Sequence, residues 1–240
     1  MQLSGKTILI TGGTDGIGLQ LALQLKDKGA HVITTGRTPA RIAAARAIGL
    51  EVIPAELSNE TGVDAVIGGL NGRPVDVLIN NAGAGSDHDV REAMPDLADN
   101  DRCIWLNLNA PIHLTIRLLE ALKARPEAMI VNVTSGLAIA PRAGGPVYCA
   151  TKAGLRSYTQ ALRFQLKGTN IHVLEALPPV VETKLTAGRG NNKMSPSACA
   201  AQIVKAMERN AAQANVGLVK ILAAVHSLSP ALARMIMIRF

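Results

Sequence analysis

Thr7-Ile8-Leu9-Ile10 runs directly into Thr11-Gly12-Gly13-Thr14-Asp15-Gly16-Ile17-Gly18, and a stretch of helical period from Leu19 to Lys28 follows. An apolar β-branched run, a glycine-rich turn and an amphipathic helix, in that order, open a βαβ unit of the kind that binds a dinucleotide. Gly12 permits the tight turn, Gly16 lets backbone N–H groups approach a pyrophosphate, and Gly18 lets the helix pack closely on the sheet. The helix N-terminus then faces the negative charge. Thr14, Asp15 and Ile17 complete the cofactor-facing surface expected of this turn. No Lys-Ser/Thr pair follows, which excludes the P-loop of a nucleoside triphosphatase. The turn taken alone leaves a methyltransferase open, because similar chemistry serves there.

Outward from this turn the pattern repeats. Strand-length apolar runs recur at His31 to Thr35, Val75 to Ile79, Met129 to Thr134 and Ile171 to Ala176. Between them lie segments of helical period such as Ala98 to Ala124 and Val147 to Lys167. Continuous apolar strands alternating with helices predict a parallel sheet covered on both faces. The expected fold class is α/β: a single-domain Rossmann-type doubly wound parallel sheet with helices on both faces, over residues 1–240.

The 240 residues are 48% hydrophobic and 18% charged, without a low-complexity tract or charged tail, which excludes disorder. The formal charge of +7 is spread along a chain with only 2% aromatics, so no nucleic-acid partner is expected. No secretory signal opens the sequence, and the expected compartment is the cytoplasm. Cys103, Cys149 and Cys199 lie far apart with no C-x-x-C pair, and the five histidines lack ligand spacing. Neither a disulfide framework nor a metal site is predicted.

The second strand ends Thr34-Thr35-Gly36-Arg37. A free ribose 2′-hydroxyl usually meets a carboxylate near this point, whereas a 2′-phosphate wants a cation. Gly36 offers no carboxylate and Arg37 offers the cation, so NADP(H) is preferred and NAD(H) stays possible; the nearby Asp15 opposes a phosphate. Glu56-Leu57, at the end of the next short strand, is expected to border the adenine.

Tyr148 and Lys152 stand four apart at the start of a predicted helix, which puts both on one face with Cβ atoms about 5 to 6 Å apart. A phenol with a pKa of about 10 exchanges protons poorly near neutrality, but an adjacent ammonium stabilises the phenolate. That tuning is what general acid–base catalysis requires. Tyr158, the only other tyrosine, has Leu162 at the matching position. Ser135 closes an apolar strand at the carboxyl edge, where open α/β sheets bind ligands, and its hydroxyl can serve a developing oxyanion.

Along most of its length, from Lys6 to about Thr186, the chain resembles the classical short-chain dehydrogenase/reductase family. Thr11-Gly12-x-x-x-Gly16-Ile17-Gly18 matches the cofactor turn, and Asn80-Asn81-Ala82-Gly83 matches the segment after the fourth strand that borders the cofactor. Asn107 falls at the helix asparagine, with Asn109 close by, and Ser135, Tyr148 and Lys152 at the remaining catalytic positions. The resemblance implies an enzyme transferring a hydride between NADP(H) and a small carbonyl or alcohol. Tyr148 would be the general acid or base, Lys152 would tune it and hold the nicotinamide ribose, Ser135 would polarise the carbonyl, and Asn107 would hold a water in the proton relay. Pro178, Val181 and Thr183 match positions facing the nicotinamide. Pro179 departs from the family's glycine and fixes φ, which is expected to redirect the loop roofing the substrate pocket. Assembly as a homodimer or homotetramer through the long helices is also implied.

Cys149 is expected to pack away from the Tyr148–Lys152 face. His88 lies in a segment, Ala84 to Asn100, expected to rim the substrate site. Residues 186–197 read as a substrate loop that is either mobile or an ordinary surface connection. The apolar tail, residues 216–240, lacks about 20 uninterrupted apolar residues, so no membrane span is expected. Core packing or a subunit contact fits it better than a peripheral membrane contact. The competing function is a non-catalytic dinucleotide-binding sensor or scaffold of the same fold; neither it nor a methyltransferase needs a tuned phenol.

Overall fold

The computed structural model describes residues 1–188 and 193–239. The chain alternates β1 (Thr7–Ile10), α1 (Gly16–Asp27), β2 (His31–Gly36), α2 (Pro39–Ala47), β3 (Glu51–Pro54), α3 (Glu60–Leu70) and β4 (Val77–Asn80). It continues with α4 (Leu97–Ile104), a π-helical turn (Trp105–Asn109), α5 (Ala110–Lys123), β5 (Ala128–Val133), α6 (Pro146–Gln165), β6 (Ile171–Leu177), α7 (Pro196–Glu208) and β7 (Gln213–Asn215). Two helices, α8 (Val219–Leu228) and α9 (Pro230–Met237), follow. The seven strands form one sheet in the order β3-β2-β1-β4-β5-β6-β7. Every pairing between them is parallel. This is the Rossmann-type doubly wound arrangement that the alternating pattern predicts.

Period-two alternation divides the strand residues between two cores. Ile8 and Ile10 of β1, Val77 and Ile79 of β4, and Met129 and Val131 of β5 pack with Leu21, Leu25 and Ile203 from α1 and α7. Leu9, Leu78 and Ile130 point the other way, toward Val63 and Val66 of α3, Leu114 and Leu118 of α5 and Leu162 of α6. Both faces are apolar, so the strands read as continuous hydrophobic runs. Polar side chains inside form chains of hydrogen bonds: Asn80 donates to Asn132 Oδ1 (2.8 Å), and Asn132 donates to Thr159 Oγ1 (2.9 Å). Glu175, fully buried on β6, accepts from Thr134 (2.9 Å) and from the Arg156 guanidinium of α6 (2.7 Å).

Three elements differ from the sequence expectation. The segment Ala98 to Ala124 is interrupted by the π turn, an inserted residue that side-chain periodicity does not register. The edge strand β7 has no apolar run and exists by pairing with β6, Ala214 opposite Ala176. The tail does not fill the core: within α8 and α9 only Val219 and Ala233 are buried. Both faces of the sheet are already covered by other helices, so the remaining apolar residues of the tail stay outside. Among the described residues, no helix is long and apolar enough to cross a membrane.

Candidate active site

Strand order reverses between β1 and β4, whose following segments diverge and leave a crevice at the carboxyl edge of the sheet. The glycine turn lies on one side. Thr11 Oγ1 accepts the N–H groups of Asn81 and Ala82 (both 3.0 Å), and Asn81 Nδ2 donates back to the Thr11 carbonyl (3.0 Å). The segment after β4 thus clamps the turn after β1. At Gly18 a Cβ would sit 2.3 Å from the Gly12 carbonyl oxygen, so only glycine lets α1 approach this closely. Gly16 has φ +54°, and a Cβ there would meet Thr183 Cγ2 at 3.1 Å. Asp15 caps α1 by accepting the Gly16 N–H (2.9 Å).

The cavity along this crevice is about 490 Å³. Gly12, Thr14, Asp15, Gly16, Ile17 and Gly18 line it, together with Arg37, Glu56, Leu57, Asn81, Ala82 and Gly83. Ser135, Tyr148, Lys152, Pro178, Val181 and Thr183 complete the predicted set on its wall. Pro179 lies on it as well, beside Pro178, whose carbonyl accepts the Gly136 N–H (3.0 Å). Past Pro179 the chain forms a parallel bridge from Val181 to Met194. Within the predicted loop 186–197, Thr186 lines the cavity and Ser195 caps α7, while Gly190, Asn191 and Asn192 lie outside the described residues.

Tyr148 and Lys152 are one turn apart on α6, and the Lys152 ammonium is 5.8 Å from the Tyr148 ring centre. Lys152 is 4% exposed, and its Nζ donates to the Val133 carbonyl at the end of β5 (2.9 Å). Burial pulls its pKa from 10.5 down to about 8. Ser135 caps a 3-10 turn, Gly136–Ala138, and its Oγ accepts the Leu137 N–H (3.1 Å). That bond occupies a lone pair and leaves the hydroxyl proton to donate. Cys149 is buried, and burial pushes its thiol pKa up, as suits a packing residue.

Asn107 is fully buried behind the cavity wall, with its amide engaged. Oδ1 accepts the Ala84 N–H (3.0 Å), and Nδ2 donates to the Ala84 carbonyl (2.8 Å), to Thr151 Oγ1 (3.1 Å) and to Cys103 Sγ (3.1 Å). Thr151 in turn donates to the Tyr148 carbonyl (2.8 Å). The side chain joins the β4 segment to α6, and Oδ1, which accepts one bond, keeps a second lone pair. A Cβ on Gly83 would lie 3.0 Å from Asn107 Oδ1 and 3.7 Å from Lys152 Nζ, which shows how tightly the three meet.

Sequence reasoning missed Arg41. It lines the cavity from the first turn of α2 and pairs with Asp15 (3.1 Å), while Arg37, in the connection before α2, pairs with Glu56 (3.0 Å). A second cation in the first turn of the helix that follows Arg37 was the available signal. Asp15 is thus neutralised where the sequence suggested an uncompensated repulsion. All four side chains are more than a third exposed, so these pairs are weakly held.

A doubly wound parallel sheet with a glycine turn at its switch point is the framework of a dinucleotide-binding protein. The short chain dehydrogenase family profile matches residues 6–194, and the chain belongs to that family, an oxidoreductase class. It is 41% identical over 189 residues to an uncharacterized oxidoreductase, DltE, of Bacillus subtilis (strain 168), covering 77% of this chain and 75% of that one. Among solved structures, a short chain dehydrogenase from Burkholderia cenocepacia J2315 in complex with NADP superposes with a TM-score of 0.87 at 21% identity, covering 99% of both chains. L-sorbose reductase from Gluconobacter frateurii, complexed with NADPH and L-sorbose, superposes with a TM-score of 0.78 at 27% identity, covering 92% of this chain and 99% of that one.

Proposed function

We propose that this protein interconverts a small carbonyl compound and its alcohol with NADP(H), Tyr148 exchanging the proton. The observation carrying the reading is that Tyr148 and Lys152 share one face of α6 on the wall of the cavity that the glycine turn also lines. The residues present fit a nicotinamide dinucleotide: Gly16 and Gly18 leave the turn open where a Cβ would close it. The cofactor, when bound, supplies or accepts the hydride.

Gly12 to Gly18 hold the pyrophosphate against the α1 N-terminus, and Glu56 and Leu57 border the adenine. Arg37, helped by Arg41, exchanges its carboxylate partner for the 2′-phosphate, which sets NADP(H) above NAD(H). The L-sorbose reductase binding NADPH supports that order. Asn81, Ala82 and Gly83 border the cofactor from the β4 side, Lys152 holds the ribose hydroxyls, and Pro178, Val181 and Thr183 face the nicotinamide. During reduction Tyr148 donates its proton to the carbonyl oxygen as negative charge gathers there, and the Ser135 hydroxyl donates a hydrogen bond to the same oxygen. The Lys152 ammonium favours the tyrosinate that remains. During oxidation the same groups act in reverse. Asn107 serves the proton route as a positioning residue, shaping the pocket beside Lys152 through Ala84 and Thr151. Exposed Ile116 on α5 and Phe164 on α6 support assembly of copies through those helices.

Purified protein mixed with NADPH and a panel of ketones and aldehydes should consume NADPH, and Tyr148→Phe should slow turnover by about 10² to 10⁴ while still binding NADPH. Failure to bind either NADPH or NADH, or a Tyr148→Phe variant as fast as the parent, would overturn the assignment. Binding with no turnover of any carbonyl or alcohol returns the sensor reading.

A further inference from the structure

We infer that α8 and α9 dock this protein peripherally on an anionic membrane surface, lying in the interface with their outer apolar stripe against the lipid. The two helices are joined through Ser229 and meet the domain on one side. On that side Val219 and Leu222 pack against Gly136, where a Cβ would lie 3.0 Å from Val219 Cγ2 and 3.6 Å from Leu222 Cδ2. Ala233 is buried, and the Ala143 N–H donates to the Ile238 carbonyl (3.1 Å). The opposite side is apolar and open: Ile221 is 63% exposed, Leu228 89%, Met235 60% and Ile236 51%. Ile221 and Leu228, seven apart on α8, share one helical face, and on α9 the exposed Leu232 stands three and four residues before Met235 and Ile236, the spacing of neighbours on a helix surface. Large apolar side chains exposed in such numbers on two consecutive helices mark an interaction site.

Charge selects the occupant. After Glu208 the sequence contains no Asp or Glu, yet it carries Arg209, Lys220, Arg234 and Arg239. None of the ion pairs among the described residues involves Lys220, Arg234 or Arg239. A second copy docked by two-fold symmetry would present the same basic segment to its twin with no carboxylate to answer it. An anionic bilayer takes both features at once, the apolar stripe entering the acyl boundary and the basic groups meeting the headgroups. The net charge of +7 adds attraction of the same sign.

Flotation of the full-length protein with extruded vesicles tests this independently of any enzymatic activity. Vesicles of phosphatidylcholine with phosphatidylglycerol should carry the protein at low salt and release much of it at high salt, and pure phosphatidylcholine should carry little. Ile221→Asp with Ile236→Asp should abolish flotation, and Lys220→Glu with Arg234→Glu should weaken it on the order of twentyfold or more. These positions are exposed, and unchanged circular dichroism with an unchanged unfolding midpoint checks that the variants fold. Absent flotation at low salt, equal binding to neutral vesicles, or variants that bind like the parent would overturn the inference. So would a concentration-dependent dimer that the Ile221/Ile236 double variant dissolves without any vesicle binding, which would assign the face to a second copy.

Discussion

Replacing Lys152 by Met retains the apolar stem and removes the ammonium, and the consequences separate stability from catalysis. Burial lowers the Lys152 pKa from 10.5 to about 8, a preference against the charged form in the folded protein. At 1.36 kcal/mol for each factor of ten in proton affinity, that preference is about 3 kcal/mol. Below pH 8 both folded and unfolded chains carry the proton, so the whole penalty weighs on the fold. Between about 8 and 10.5 the folded protein releases a proton that the unfolded chain keeps, and stability rises with pH through that window. The Met variant has no such dependence. It also loses the 2.9 Å bond to the Val133 carbonyl. Leaving that carbonyl unmatched costs about 1 to 3 kcal/mol at any pH. The two effects oppose each other near neutrality, so the absolute difference is a poor test and its pH dependence is a clean one. Urea unfolding of both proteins without cofactor should show the parent gaining about 2 kcal/mol on the variant between pH 7 and about pH 9.5. A difference that does not move with pH would refute the desolvated ammonium and, with it, the claim that this site holds a charge at the expense of the fold.

Arg37→Ala should weaken NADPH binding about tenfold to a hundredfold and leave NADH nearly unchanged, since it removes a charge-assisted contact to the 2′-phosphate alone; titration of nicotinamide fluorescence with each cofactor decides, and equal losses would remove Arg37 from the specificity assignment. Arg156→Ala strands the fully buried Glu175 carboxylate and should cost about 3 to 5 kcal/mol in urea unfolding. A loss below 1 kcal/mol would mean that water reaches Glu175. Cys149→Ala should keep turnover within about twofold, and the native thiol should resist alkylation near neutrality, because burial holds it protonated. Rapid labelling of folded protein at Cys149 would contradict its packing role.

Legibility in the sequence followed the physics of each feature. β1, β4, β5 and β6 are buried on both faces, so their side chains are mostly apolar, with Asn80, Asn132 and Glu175 as hydrogen-bonded exceptions, and the runs announced themselves. β7 pairs on one edge only, and Gln213-Ala214-Asn215 carries no intrinsic strand signal. Residues immediately after strand ends, from Gly12 through Ser135 to Val181, were readable as a site because parallel topology brings carboxyl ends together. Arg41 and Thr151 were not, because their place depends on which way a helix face turns. The tail's apolar content does not by itself say whether the core or an outside partner covers it, and two covered sheet faces leave no internal room for most of α8 and α9.

The π turn is where fold and site constrain each other most directly. Leu106, Ala110, Leu114, Leu118 and Leu122 form a core stripe at a spacing of four. On a regular helix of 3.6 residues per turn such a stripe drifts around the axis, and Cys103 and Asn107 would drift with it. The residue inserted between Trp105 and Asn109 resets that phase. It lets Leu106 and Ala110 stay in the core while Cys103 and Asn107 both face Ala84. The π turn falls at the point where the helix must serve two partners, the sheet below and the Lys152 pocket beside it. The same reasoning places the tolerance of the fold: substitutions at Leu114, Leu118 and Leu122 disturb packing alone, whereas any change that restores a regular helix at Trp105 to Asn109 must give up either the core stripe or the Asn107 bridge from Ala84 to Thr151.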